Sequence, residues 1–168
     1  MEQIYPRVHV GGDPDYLRVR GKENFSWVRC CKYGVDGHKE LLGYTTPGAP
    51  AGPNYIFFRK NKHLLALNLL DLDDPNMVPF KGFEVALDFI KERLDDGDRV
   101  GIFCNSGRSR GPSTGLAFLR SVGDLPYHFV KSEHIYRTLY PHYSPGMGVR
   151  QVIKENWNTL QDMELSNV

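Results

Sequence analysis

Apolar positions recur along this chain with two different periods, and the changes of period divide it into elements. Residues 4–10, Ile4 to Val10, read as a first strand, closed by Gly11-Gly12-Asp13-Pro14. Phe25 to Cys31 is a second short apolar run carrying Trp27 and Val28. Residues 33–54 are rich in Gly, Pro and Thr, the composition of a loop or flap rather than of a second domain. Tyr55-Ile56-Phe57-Phe58 and Leu64 to Leu70 each suit a buried strand. From Phe80 the period lengthens. Phe83, Ala86, Leu87, Ile90 and Leu94 fall at helical spacing with Lys81, Glu84, Lys91 and Glu92 between them.

Asp95-Asp96-Gly97-Asp98 ends that helix, and Arg99-Val100-Gly101-Ile102-Phe103 reads as a central strand with Cys104 at its C-terminal end. After Arg110 a helical pattern returns through Leu116, Phe118 and Leu119 and stops near Gly123-Asp124. Tyr127 to Leu139 and Val149 to Leu160 are two further expected helices, on either side of Tyr140-Pro141-His142-Tyr143-Ser144-Pro145-Gly146. Strands that alternate with helices predict an α/β fold, a mainly parallel central sheet flanked by helices, within a single domain over 1–168. Sites in such sheets lie at the carboxyl ends of the strands, where Cys104 falls.

Composition narrows the picture mainly by exclusion. With 40% apolar and 24% charged residues in 168, the chain has the make-up of a globular protein. A net charge of +1 argues against nucleic acid as a stable partner and against an anionic membrane. No apolar run approaches the ~18 residues of a membrane span, and Met1 to Pro6 lacks the pattern of a secretory signal. Three cysteines do not make a disulfide scaffold, so a cytoplasmic protein with reduced thiols is expected. The adjacent Cys30 and Cys31 read as one packing residue and one idle thiol, with redox control of Cys104 a minor option. The six histidines show no ligand spacing, and no metal or cofactor is expected.

The chemistry concentrates in Cys104-Asn105-Ser106-Gly107-Arg108-Ser109-Arg110. A short loop between a strand and a helix N-terminus turns backbone N–H groups inward as an anion nest, and the helix dipole adds positive charge there. Gly107 permits backbone angles closed to other residues. Arg110 can grip two phosphoryl oxygens with its planar fork. The same field favours the thiolate of Cys104, a nucleophile for phosphorus. Arg108 reads as a solvated cation.

These residues resemble the dual-specificity branch of the cysteine-based protein tyrosine phosphatases, whose signature is Cys, five residues, then Arg, with Gly third after the Cys. Cys104, Gly107 and Arg110 match it. The order of Leu67-Asn68-Leu69-Leu70-Asp71, the Phe83–Leu94 helix and the loop also matches, best over residues 64–120, and small bacterial and phage-type members look most similar. The resemblance implies a phosphate monoester hydrolase acting through a phosphocysteine on a phosphorylated protein. The alternatives are a small phosphorylated substrate (phosphoinositide, nucleotide or RNA 5′ phosphate, to which an inward Arg108 would contribute), or a binding module of low turnover. A sulfur-transfer enzyme fits the spacing poorly.

Two positions depart from the family: Phe103 where it usually has His, and Gly111 where it usually has a Ser or Thr that assists departure of the thiolate. Ser109 and Ser113 are the candidate substitutes. The resemblance also implies an Asp general acid after the Leu64–Leu70 strand. The Leu67, Leu69, Asp71 alternation favours Asp71, an ungapped count back from Asp88 favours Asp73, and Asp74 is third. Asp-Asp-Pro is also a common start for a turn or helix, so at least one of the three is expected to do only that.

Overall fold

The structure, a computed structural model, describes residues 1–160. Six strands form one sheet: β1 (Glu2–Tyr5), β2 (Val8–Gly11), β3 (Phe25–Arg29), β4 (Phe57–Asn61), β5 (Leu64–Leu67) and β6 (Arg99–Phe103), in the order β1-β2-β6-β3-β5-β4. The inner four run parallel and the two edge strands antiparallel to them. The helices are α1 (Asp13–Val19), α2 (His38–Leu42), α3 (Phe80–Asp95), α4 (Arg110–Ser121), α5 (Phe129–Leu139) and α6 (Met147–Glu155).

Period-two alternation along the strands splits the interior into two layers. Val100 and Ile102 of β6 and Cys104 just after it, with Val28 and Cys30 beside them, face the larger core under α3, α4, α5 and α6. Phe103, Phe25 and Trp27 point the other way and pack with Tyr16 and Val19 of α1. Both faces are covered, and so β3, β5 and β6 are buried almost throughout, as parallel strands usually are.

The expected α/β architecture is present, with revised boundaries. The single strand over residues 4–10 is a hairpin, broken at Pro6-Arg7, where Arg7 takes a left-handed φ of 63° and its Nη1 donates to Leu94 O at 3.0 Å. Gly11-Gly12-Asp13-Pro14, read as a closing turn, starts α1. Pro14 lies in its first turn, and Asp15 accepts from the Gly12 amide at 3.2 Å, satisfying a donor the helix leaves free. The 33–54 segment contains α2. The strand expected over 55–58 runs from Phe57 to Asn61, and the one expected to reach Leu70 leaves the ladder after Leu67. The last helix begins at Met147 and ends at Glu155, short of Leu160.

Candidate active site

β6 delivers Cys104, fully buried, to the C-terminal edge of the sheet, and α4 starts at Arg110. The loop between them is held by its carbonyls. Asn105 O accepts from the Asp13 amide at 3.0 Å, Gly107 O from the Tyr140 hydroxyl at 2.7 Å, and Arg108 O from the Ser144 amide at 2.9 Å. With the carbonyls engaged outward, the amides of Ser106, Gly107 and Ser109 have no protein acceptor among the described residues. That polarity defines an anion nest. Gly107 has φ +67°, and a Cβ there would lie 2.7 Å from Gly12 N, so glycine is required there, while a Cβ on Gly12 would press on Ser106 C at 3.2 Å where α1 abuts the loop.

The Arg110 guanidinium is nearly buried and fixed at two points. Nη1 donates to Leu69 O at 3.0 Å and Nη2 to Asn105 Oδ1 at 3.0 Å, while Nε has no protein partner. Arg108, by contrast, is exposed on the rim of a cleft of about 300 Å³ that it lines with Ser106, Pro14, Tyr140 and His142.

The three carboxylates are sorted by their partners. Asp71 Oδ1 accepts from Ser109 Oγ at 2.6 Å, which brings it to the Cys104 loop, and the Gly146 amide donates to the same Ser109 Oγ at 2.9 Å. A Cβ on Gly146 would come within 2.5 Å of Asp71 Oδ1. Asp74 faces its own segment: its Oδ1 accepts from the Asn76 amide at 2.9 Å and caps the single helical turn Pro75–Met77. Asp73 is exposed and makes no hydrogen bond to the loop among the described residues.

No family model matches the chain, and neither does any of the curated proteins compared. Solved structures do. The human tyrosine phosphatase-like serine/threonine/tyrosine-interacting protein aligns with a TM-score of 0.65 at 18% identity, over 95% of this chain and 96% of that one. Human DUSP28 gives 0.63 at 14% identity over 95% and 93%. The PTP-2 phosphatase of Cydia pomonella gives 0.62 at 15% over 92% and 88%. This chain has the fold of the dual-specificity phosphatases.

Within the dual-specificity phosphatase fold, the two departures have visible consequences. Phe103 is buried against Tyr16, ring centroids 5.5 Å apart, and its ring occupies the space that Gly101 leaves by lacking a Cβ. At Gly111 a Cβ would stand 3.4 Å from Cys104 Sγ and 3.1 Å from its amide nitrogen, so a hydroxyl residue there would adjoin the sulfur. The two candidate substitutes differ: Ser109 donates to Asp71, whereas Ser113 is buried on α4 and its Oγ has no hydrogen-bond partner among the described residues.

Register sets Cys30 beside Cys104, since Arg29 pairs with Phe103 and the Cys30 amide donates to Phe103 O at 2.7 Å. All three thiols are free. Burial drives the Cys30 thiol far up, and it pushes that of Cys31 up to about 11 against the pull of Arg29 and Arg110. Tyr140 is raised to about 12 by burial and by the nearby Cys104. Missed in the sequence were Gly12, Leu69 and Gly146, which act through their backbone, Tyr140, which acts through its hydroxyl, and Asp13, which acts through both its amide and its carboxylate. The Gly-Gly-Asp-Pro-Asp string, a helix-start pattern, was the available signal for Gly12 and Asp13.

Proposed function

We propose that this protein hydrolyses phosphate monoesters without a metal, through a phosphocysteine at Cys104. The observation that carries the reading is the outward anchoring of the loop carbonyls, which leaves unpaired amides and the Arg110 Nε around a buried cysteine. The fold is that of phosphatases, but it also includes a protein described as phosphatase-like, so Cys104 and Arg110 support turnover more specifically than the fold does.

In the first step the Cys104 thiolate attacks phosphorus, the ester P–O bond breaks, and Asp71 gives its proton to the departing oxygen. In the second, Asp71 takes a proton from water as the water oxygen attacks phosphorus. The S–P bond breaks and Cys104 leaves as thiolate. Arg110 and the loop amides hold the equatorial oxygens throughout. Gly111 offers no hydroxyl to the leaving sulfur, which makes the second step the slow one.

A phosphorylated protein is the leading substrate. Arg108, an exposed cation two residues before Arg110, favours a second reading, a polyanionic small molecule, and a side-by-side assay of a phosphopeptide and an inositol phosphate separates them. Turnover of an aryl phosphate in EDTA tests the reaction itself. Wild type should be active and Cys104→Ser inactive while still binding orthovanadate. Dependence on added divalent metal, or an active Cys104→Ser, would overturn the assignment.

A further inference from the structure

Asp13 opens α1 directly against the Cys104 loop, and its carboxylate is held from two sides. Oδ1 accepts from Arg29 Nη2 at 2.6 Å, and Oδ2 accepts from Asn105 Nδ2 at 3.1 Å. The Asn105 amide is thereby fully engaged: Nδ2 also donates to Tyr33 O at 3.0 Å, and Oδ1 accepts from Arg110 Nη2 at 3.0 Å. Gly34 makes room for this arrangement. It sits at φ +99°, and a Cβ there would lie 2.7 Å from Asn105 Nδ2.

A primary amide has a donor end and an acceptor end of nearly equal shape, so its orientation is set by what it faces. Were the Asn105 amide flipped, its oxygen would meet the Asp13 carboxylate and the Tyr33 carbonyl, and its NH₂ would meet the Arg110 guanidinium. The negative charge of Asp13 makes that flip costly. The unflipped amide in turn supplies one of the two anchors of Arg110, the other being Leu69 O.

A bare carboxylate this close to the loop would repel a phosphate dianion. Arg29 offsets it: the residue is fully buried, its Nε donates to Val35 O at 3.1 Å, and its guanidinium lies 4.2 Å over the Tyr16 ring. Arg29 is enclosed while the Asp13 side chain is 32% exposed, so the pair is half-buried.

We infer that Asp13, neutralised by Arg29, is a positioning residue for phosphate binding: it fixes the Asn105 amide, and through it the plane of Arg110. The inference rests on Arg110 being the phosphate clamp. The test is a double-mutant cycle read in the inhibition constant of orthovanadate and in kcat/KM on an aryl phosphate, with wild type, Asp13→Asn, Asn105→Ala and the double variant. Asp13→Asn should weaken vanadate about tenfold, the scale of one hydrogen bond to a charged group, and Asn105→Ala by a similar factor. The double variant should bind no more weakly than Asn105→Ala alone. Asp13→Ser, which keeps the backbone bond to Asn105 O, should reproduce these results and serves if Asp13→Asn folds poorly. Multiplying losses in the double variant, or unchanged vanadate affinity in both Asp13 variants, would overturn the inference. Metal-free wild-type turnover that is lost in Cys104→Ser is scored separately, so this inference can fail while the proposed reaction stands.

Discussion

The Cys104–Arg110 loop and the Asp71–Asp74 segment are both short connections at the same end of the sheet, yet they are built in opposite ways. The first is held at nearly every residue by bonds from α1, from the segment after α5 and from its own side chains, and both Cys104 and Arg110 are buried. The second is largely exposed and meets the first by one bond, Ser109 to Asp71, while Arg110 reaches Leu69 O just before it. An anion site gains from rigidity, because amides and guanidinium that are already oriented need no reorganisation when charge develops. A proton donor must instead reach a leaving group of variable shape. The difference explains why a spacing motif located the first and could not choose among three carboxylates in the second.

The largest effect that would break this comparison is on Asp71. Asp71→Asn should slow hydrolysis of an alkyl phosphate by roughly 10²–10⁴ and that of an aryl phosphate much less, because a phenolate departs without a proton. Asp73→Asn should leave both rates nearly unchanged. The reverse pattern in steady-state rates would move the acid to Asp73 and cut the link through Ser109.

A smaller effect separates the two chemical steps. With Gly111 beside the sulfur and the Ser109 hydroxyl committed to Asp71, phosphocysteine should form faster than it breaks down. Rapid mixing with an aryl phosphate should then show a burst approaching one equivalent of enzyme. A time course linear from the first turnover would mean that another group assists the thiolate.

The smallest effect is confined to the cap. Asp74→Ala removes the bond to the Asn76 amide, which should cost about 1 kcal/mol and lower the melting midpoint by about 2–4 °C, with kcat unaltered. A fall in kcat at unchanged stability would assign Asp74 to the chemistry.

What the sequence made legible follows from how each feature is encoded. The strands β3, β5 and β6 and the helices α3 and α4 announce themselves through apolar periodicity, because each buries a face. Cys104, Gly107 and Arg110 act through their own side chain or backbone freedom and sit within seven consecutive residues. Three features stayed hidden for different reasons. α1 is short and begins with residues that also suit a turn. The 4–10 run kept its alternation through Pro6-Arg7, so the reversal there left no break in pattern. Asp13 and Tyr140 meet the loop only through tertiary folding, from positions well apart in sequence, and no local pattern reports such a meeting.

The central claim is that Cys104 carries the phosphoryl group, and the most direct measurement is to trap it there. Wild-type enzyme mixed with an aryl phosphate, acid-quenched within the burst and digested, should yield the Cys104 peptide with the mass increment of one phosphoryl group. The increment should be absent in Cys104→Ser. Turnover with no adduct on Cys104, or an adduct on a histidine or aspartate instead, would contradict the account.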